Sequence, residues 1–588
     1  MLKNLFSFSV AKGLRQLEEI RVSSCENMRE LIKVEKEEMG EDDILEFTQL
    51  RFLELKGLPK FNGMWLFDKK VLFPTLEKLV LLSNNGIEKI WHDDQLLTVS
   101  LRHLEVSKCH KLKYVFTSSM VECFVNLETF NVGDCDEMED IIEGILGGEE
   151  RINSSIRVFP KLESLTLSGL PHLKRFCRGI NPIEFPFLSD LEITDCPIMS
   201  AFHFDTASIR SISLDLNVPQ PQYLISAKVL FPALENLYLN SVNGIKRIWH
   251  DDQLLTVSLT SLQVHCCSEL KYVFTSSMVE SFVNLKTLVV GDCDEMEDII
   301  EGILGGEERI NNSISVFPKL DSVALYNLLN LKRWHDDQLL TVSCGVQNLT
   351  HLEVSNCHKL KCVFTSSMVK SFVNLKTLKV RHCNEMEDII EGILGGEERI
   401  NNSIKVFPNL TVLVLTHLPN LKRFCCGINP VEFPFLGKLE IRKCRVLSAF
   451  HFDTASIGNN ISLDPSIPQP QYLFSAKFTF PNLHQLTLRW NVGVKEIWRL
   501  VPSSTSFQNL VALEVEGYHG IIKIITHSTA KSLVHLEKMR IENCQEIEEI
   551  VGGGDDDDDK IIFPQLKILK LQSLPKLESF SSSRHYNP

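Results

Sequence analysis

Short runs of the form L-x-x-L-x-L recur along the whole chain, with apolar residues at alternate positions for four or five residues at a time. NLETFNVGDCDEMEDI at 126–141, FPKLESLTLSGLPHLKRF at 159–176 and LVHLEKMRIENCQEIEEI at 533–550 share one frame, L-x-x-L-x-L-x-x-(C/N/other)-x-x-L. Strand side chains alternate, so in SLTLS the pair Leu165 and Leu167 points one way and Thr166 the other. A strand this short cannot bury its apolar face alone. A neighbouring unit that adds a parallel strand extends the same core.

About nineteen units fit the frame, with two degenerate ones near Ile209 and Ile457, at a basic spacing of roughly 25 residues. That period predicts an α/β leucine-rich-repeat solenoid: a horseshoe with a parallel β-sheet on its concave face and short helices or loops on its convex face. Larger blocks are also copied. Residues 72–167 return at 230–325 and, from WHDDQLLTVS onward, at 334–415, and the block 185–209 returns at 433–457. We therefore expect one array over 1–588, of about 19–21 irregular repeats, with no nucleotide-binding domain. Residues 5–25 align without a gap on 115–135, so the chain begins inside a repeat; the expectation is part of a larger protein or a truncated gene product.

Within a unit the connections carry their own signals. The cysteine after the strand (Cys109, Cys135, Cys293, Cys383, Cys544) holds a fixed offset and suits a small buried thiol donating weakly to backbone carbonyls. In EMEDIIEGILGG the spacing of Met138, Ile141, Ile142 and Ile145, with acids first and glycines last, predicts a short convex-side helix. Phe-Pro pairs such as Phe159-Pro160 and Phe407-Pro408 are expected to open strands, where a missing donor does least harm.

Composition narrows the function classes. The 588 residues carry a net charge of −15 and 44% hydrophobic residues, an ordinary soluble balance whose acidity disfavours nucleic acid. No run is long and apolar enough for a membrane span, and the N-terminus lacks a signal-peptide pattern. A reducing, cytoplasmic location and 17 free thiols are the expectation. The sequence contains no phosphate loop (Gly437-Lys438 is followed by Leu439), no G-x-S-x-G, no H-E-x-x-H and no C-x-x-C, so no enzyme activity, cofactor or metal is expected. WHDDQLL at 91–97, 249–255 and 334–340 reads as a loop in which Trp91 packs and Asp94 caps a turn, in preference to a metal site. Asp555–Asp559 reads as a solvated acidic loop. Cys266-Cys267 and Cys425-Cys426 read as repeat thiols.

The internal copies differ chiefly on and just after the strands. Glu105 becomes Gln263 and Glu353, and Asn131 becomes Val289 and Lys379. Ser107-Lys108 becomes His265-Cys266 and Ser355-Asn356; Ser168-Gly169 becomes Tyr326-Asn327 and Thr416-His417. WHDDQLLTVS, VFTSSM and EMEDIIEGILGGEERIN stay unchanged. Either the outward face varies because it touches a partner, or recent duplication left patchy differences. The candidate protein contacts are Glu105, Asn131, Thr166, Glu192, Tyr238, Gln263, Val289, Tyr326, Glu353, Lys379, His417, Glu440, Thr487, Glu514, Arg540 and Lys570.

STAKSLVHLEKMRIENCQEIEEIV at 528–551 and FPQLKILKLQSLPKLESF at 563–580 resemble the C-terminal repeats of plant coiled-coil, nucleotide-binding, leucine-rich-repeat disease-resistance proteins. The Phe-Pro-x-Leu openings and C-x-x-[MI]-E-[DE]-I endings carry that resemblance over nearly the whole chain. It implies intracellular sensing of a pathogen effector or a host protein, with the repeats restraining a nucleotide-binding switch. This sequence lacks the coiled coil and the switch, so only the sensor role carries over, and such a module becomes an expected partner. Competing readings are a substrate adaptor for ubiquitin ligation, which would need an F-box-like segment that the sequence lacks, and a non-functional truncated duplicate.

Overall fold

The computed structural model describes residues 3–33, 44–62, 71–91, 100–147, 155–205, 223–249, 258–275, 278–301, 317–334, 345–394, 403–427, 429–453, 472–475, 478–491, 494–498, 507–552 and 563–581. The chain forms two compact units, 1–285 with 292–296, and 286–291 with 297–588. Both are parallel β-solenoids. In the first, five-residue strands at Glu19–Ser23, Phe52–Lys56, Lys78–Leu82, His103–Ser107, Thr129–Gly133, Ser164–Ser168, Asp190–Thr194, Asn236–Asn240 and Ser261–His265 pair in sequence order. In the second, the same holds for Thr287–Gly291, Ser322–Tyr326, His351–Ser355, Thr377–Arg381, Val412–Thr416, Lys438–Arg442, Gln485–Arg489, Ala512–Glu516, Lys538–Glu542 and Ile568–Gln572.

The register never slips. Asn131 sits beside Glu105 on one side and Thr166 on the other, and each inward residue meets the inward residue of the next strand. Alternation therefore stacks the cores: Leu53, Leu79, Leu104, Phe130 and Leu165 form one buried row, and Leu55, Leu81, Val106, Val132 and Leu167 a second. Leu569, on the last strand, is 47% exposed, because no further strand is stacked on it among the described residues.

Every one of these strands is followed by a residue at positive φ, from Ser24 through Lys108 (56°) and Asn356 (53°) to Ser573. The sharp turn there lets that residue's N–H continue the ladder: Lys108 donates to the Gly133 carbonyl at 3.0 Å and Asp134 to that of Ser168 at 2.9 Å. In about half of the repeats the next residue is the expected thiol, and in most of the others it is Leu, Val or Asn. Cys109 Sγ donates to the carbonyls of Ser107 (3.6 Å) and Leu81 (3.8 Å), and Cys135 to that of Gly133 (3.2 Å). Burial pushes the Cys109 thiol up to about 11 and that of Cys135 to about 12, so both stay protonated. Asn84 fills the same slot with a carboxamide, donating to Leu55 O (2.8 Å) and accepting from Leu58 N (3.1 Å). The described cysteines are all free thiols.

Two expectations about the connections are corrected. EMEDIIEGILGG is not helical: Ile142–Glu143 is a short strand paired with Phe116–Thr117, flanked by bridges from Asp140 to Arg175 and from Leu146 to Gly179. Met138, Ile141 and Ile142 are buried, but Ile145 is 50% exposed. Adjacent repeats offer these residues parallel backbone partners, and β-branched neighbours favour the extended form. Helices among the described residues are short, as at Phe8–Gly13 and His527–Ser532. The Phe-Pro pairs do not open strands either. Pro160 follows Phe159 in a turn closed by Leu162 N to Phe159 O at 2.9 Å, ahead of the strand Ser164–Ser168, and proline suits that corner. Phe159 itself is fully buried, 4.9 Å from the Phe116 ring. Trp91 packs as expected, against Phe124 at 5.1 Å. The rest of WHDDQLL, with Asp94, and Asp555–Asp559 lie outside the described residues.

Candidate recognition surface

The middle residue of each five-residue strand points away from the core, and in-register pairing aligns these residues in a row across each sheet. Fourteen of the sixteen candidates lie in these rows. In the first unit the row runs Arg21, Glu54, Val80, Glu105, Asn131, Thr166, Glu192, Tyr238, Gln263. In the second it runs Val289, Ala324, Glu353, Lys379, Val414, Glu440, Thr487, Glu514, Arg540, Lys570. Tyr326 and His417 fall outside it. Tyr326 is the last residue of its strand, with its ring across Gly291, where an added Cβ would come within 2.1 Å of Cε2. His417 occupies a left-handed position after its strand, at φ 55°.

The two rows differ in how much of their chemistry is already engaged. Along the second unit the charged candidates are neutralised by charges on their own or neighbouring strands. Glu353 binds Arg381 (2.6 Å) and Lys379 (3.4 Å), and Glu440 binds Arg442 (2.8 Å) and Lys438 (3.3 Å). Glu514 binds Lys538 (2.6 Å) and Arg489 (2.9 Å). Glu542, outside the candidate set, joins Arg540 (2.7 Å) to Lys570 (2.6 Å). Thr487 is 1% and Glu514 8% exposed, so these two present almost no surface. In the first unit Glu105, Gln263 and Tyr238 are half-buried, while Asn131 and Glu192 are exposed. Hydroxyls flank them at Ser107, Thr129, Ser164, Ser168 and Thr194. Tyr238 lies 5.3 Å from the His265 ring. Arg21 and Glu54 pair at 3.9 Å, but from Glu105 to Gln263 the central row makes no ion pair among the described residues, so a partner can engage that stretch without first breaking one.

The sequence reading passed over Arg21, Glu54, Val80, Ala324 and Val414, which share the rows; strand-centre alternation alone would have found them. Among the described residues no group of three His, Cys, Asp or Glu is placed to hold a metal ion, and no helix is long and apolar enough to cross a membrane.

Parallel five-residue strands, a buried apolar frame and a thiol or amide after most of the strands define a leucine-rich-repeat solenoid. The family model of leucine-rich repeats from plant disease resistance proteins like RPS2 matches residues 1–80, 74–209, 233–384, 366–461 and 482–585, and the chain belongs to that family. Two probable disease resistance proteins of Arabidopsis thaliana are similar in sequence. One is 26% identical over 204 residues, covering 34% of this chain and 21% of that protein. The other is 25% identical over 248 residues, covering 35% and 25%. The matched stretches thus span a quarter or less of those relatives. A solved complex of TLR13 with ssRNA13 is 13% identical, with 90% of this chain and 78% of that one covered; its TM-score of 0.24 carries no argument.

Proposed function

We propose that the chain is the protein-recognition region of a plant disease resistance protein, acting in the defence response. In this reading it binds a pathogen effector or a host protein through the outward rows of its sheets, by association and not by catalysis. The observation that carries the reading is the first unit's row from Glu105 to Gln263. It combines outward side chains that differ between near-identical copies with a scaffold whose inward positions are all apolar. Extended solenoid faces suit protein partners because contacts spread over many repeats. A nucleotide-binding module and a cytoplasmic location belong to the same proposal.

The row makes its own test possible. Charge swaps at Glu105, Glu353 and Lys379 are expected to weaken capture of a partner from plant extract while leaving the circular dichroism spectrum unchanged. Glu353→Lys also places a third cation beside Lys379 and Arg381, so the Glu105→Lys variant is the cleaner of the set. Unaltered capture by all three variants refutes the assignment of the rows.

A further inference from the structure

In the second unit the left-handed positions after five consecutive strands, with the residues two further along, line an open groove of about 560 Å³. Its chemistry comes from His382, His417, Lys443, Arg445, Trp490 and His519, and among the described residues no carboxylate lines it. The setting is unusual for a chain of net charge −15. Nearby acids are already engaged: Glu440 by Lys438 and Arg442, Glu514 by Arg489 and Lys538, Glu516 by Arg489 at 3.4 Å. Lys443 and Arg445 are exposed and make no ion pair among the described residues. Trp490 is 39% exposed, whereas Trp91, Trp249, Trp334 and Trp498 are buried.

The aromatic part of the groove is built. The His382 and His417 rings stack at 4.1 Å, and the His519 ring stands 6.2 Å from Trp490. Gly517 lets the indole lie close: a Cβ there would come within 2.4 Å of Trp490 Cε3. Five of the groove's backbone amides are already engaged. The amides of His382, His417, Lys443, Trp490 and Gly517 all donate along the ladder, to Thr416, Arg442, Arg489, Glu516 and Glu542 at 2.7–3.0 Å. These five are closed to a free phosphate, which is usually held by a nest of unengaged N–H groups. Four strand spacings at about 4.8 Å give a length of about 19 Å, the reach of five or six residues of extended chain.

We infer that this groove binds an extended acidic segment of a partner protein. Its carboxylates lie against Lys443 and Arg445, and an apolar or aromatic side chain of the same segment lies against Trp490. The choice of a peptide over another anion rests on the proposed reading of the chain as a protein-recognition module. The groove itself lies at the strand ends, apart from the central row.

The test uses the full chain and a fluorescein-labelled octapeptide of Glu and Asp with one central Phe, read by anisotropy. The expected result is binding that weakens at least tenfold in Lys443→Glu/Arg445→Glu, several-fold in Trp490→Ala, and not at all in the central-row variant Glu105→Lys. The milder pair Lys443→Gln/Arg445→Gln, checked by circular dichroism, guards against a folding defect. No binding of the peptide, unchanged binding in both groove pairs, or equal displacement by inorganic phosphate at matched concentration overturns the inference. The reading of the central row is settled separately, by partner capture with Glu105→Lys, so either can fail without the other.

Discussion

Asn491 offers a sharp test of how the repeats are held together. It occupies the slot that cysteine fills in about half of the repeats and is 1% exposed. Its Oδ1 accepts the backbone N–H of Cys444 at 2.8 Å, and its Nδ2 donates to Tyr518 Oη, also at 2.8 Å. One side chain thus joins three consecutive repeats in a region without solvent. Asn491→Ala leaves a buried amide and a buried hydroxyl without this partner, at about 1–3 kcal/mol each, so the expected loss is about 2–6 kcal/mol. Tyr518→Phe removes one of the two orphaned groups. The double variant should therefore lose less than the sum of the singles, by about 1–2 kcal/mol. Urea unfolding followed by far-ultraviolet circular dichroism measures the losses. Amide exchange locates them, with protection expected to fall in Lys438–Arg442, Gln485–Arg489 and Ala512–Glu516 and to hold in Ser322–Tyr326, because coupling in a solenoid is between neighbours. A stability change within about 0.5 kcal/mol, the usual range for a surface substitution, would refute the reasoning, as would additive losses.

His203 is 1% exposed and neither ring nitrogen has a hydrogen-bond partner among the described residues; burial, aided by Lys228 and opposed by Asp205, pushes it down to about 4. The unfolded ring takes a proton near pH 6.5 and the folded ring only near 4, so stability falls as pH drops between those values, by at most about 3 kcal/mol. His203→Leu should flatten that part of the pH–stability curve, and an unchanged slope counts against the burial argument. Glu542 runs through a lower window: bonds from Arg540 and Lys570 hold it down to about 2, so its contribution is complete above the ordinary carboxylate range and is lost as pH falls toward 2. Glu542→Gln should remove this share of the acid-labile stability, visible as a smaller stability difference between pH 5 and pH 2. At the left-handed turn after the strand, Lys108→Gly should raise stability by about 0.5–1 kcal/mol, since φ of 56° penalises a side chain more than glycine costs in chain entropy. Gly169→Ala should do the reverse, with a Cβ 2.4 Å from Asp134 Oδ1, and equal melting temperatures for both variants and the parent would contradict this account of the turn.

The strands were legible because their signal is local. Two apolar residues flanking one outward residue, repeated with a thiol at fixed offset, place Leu165, Thr166 and Cys135 without reference to anything distant. The same alternation placed Glu105, Asn131 and Lys379 in the middle of their strands. The back of the solenoid was not legible, because Met138, Ile141 and Ile142 show helical spacing while their backbone partners lie in neighbouring repeats, at Phe116 and Arg175. Comparison of the internal copies led to Tyr326 and His417 for a different reason: it registers change just after a strand as readily as change within one. The ion pairs of Glu353 and Glu514, and the groove around Trp490, depend on which residues 24 to 47 positions apart become neighbours. That distance varies from repeat to repeat with the insertions, so no fixed spacing in the sequence signals it.

The central claim is that the outward row of the first unit meets a protein partner. Photo-cross-linking in plant tissue tests it most directly, with a benzophenone side chain placed in turn at Asn131, Gln263 and the exposed back-side position Glu143. The account predicts that Asn131 and Gln263 give an adduct to one and the same protein, that Glu143 gives none, and that Glu105→Lys diminishes the adduct. Equal labelling from front and back, or labelling from Glu143 alone, would contradict it.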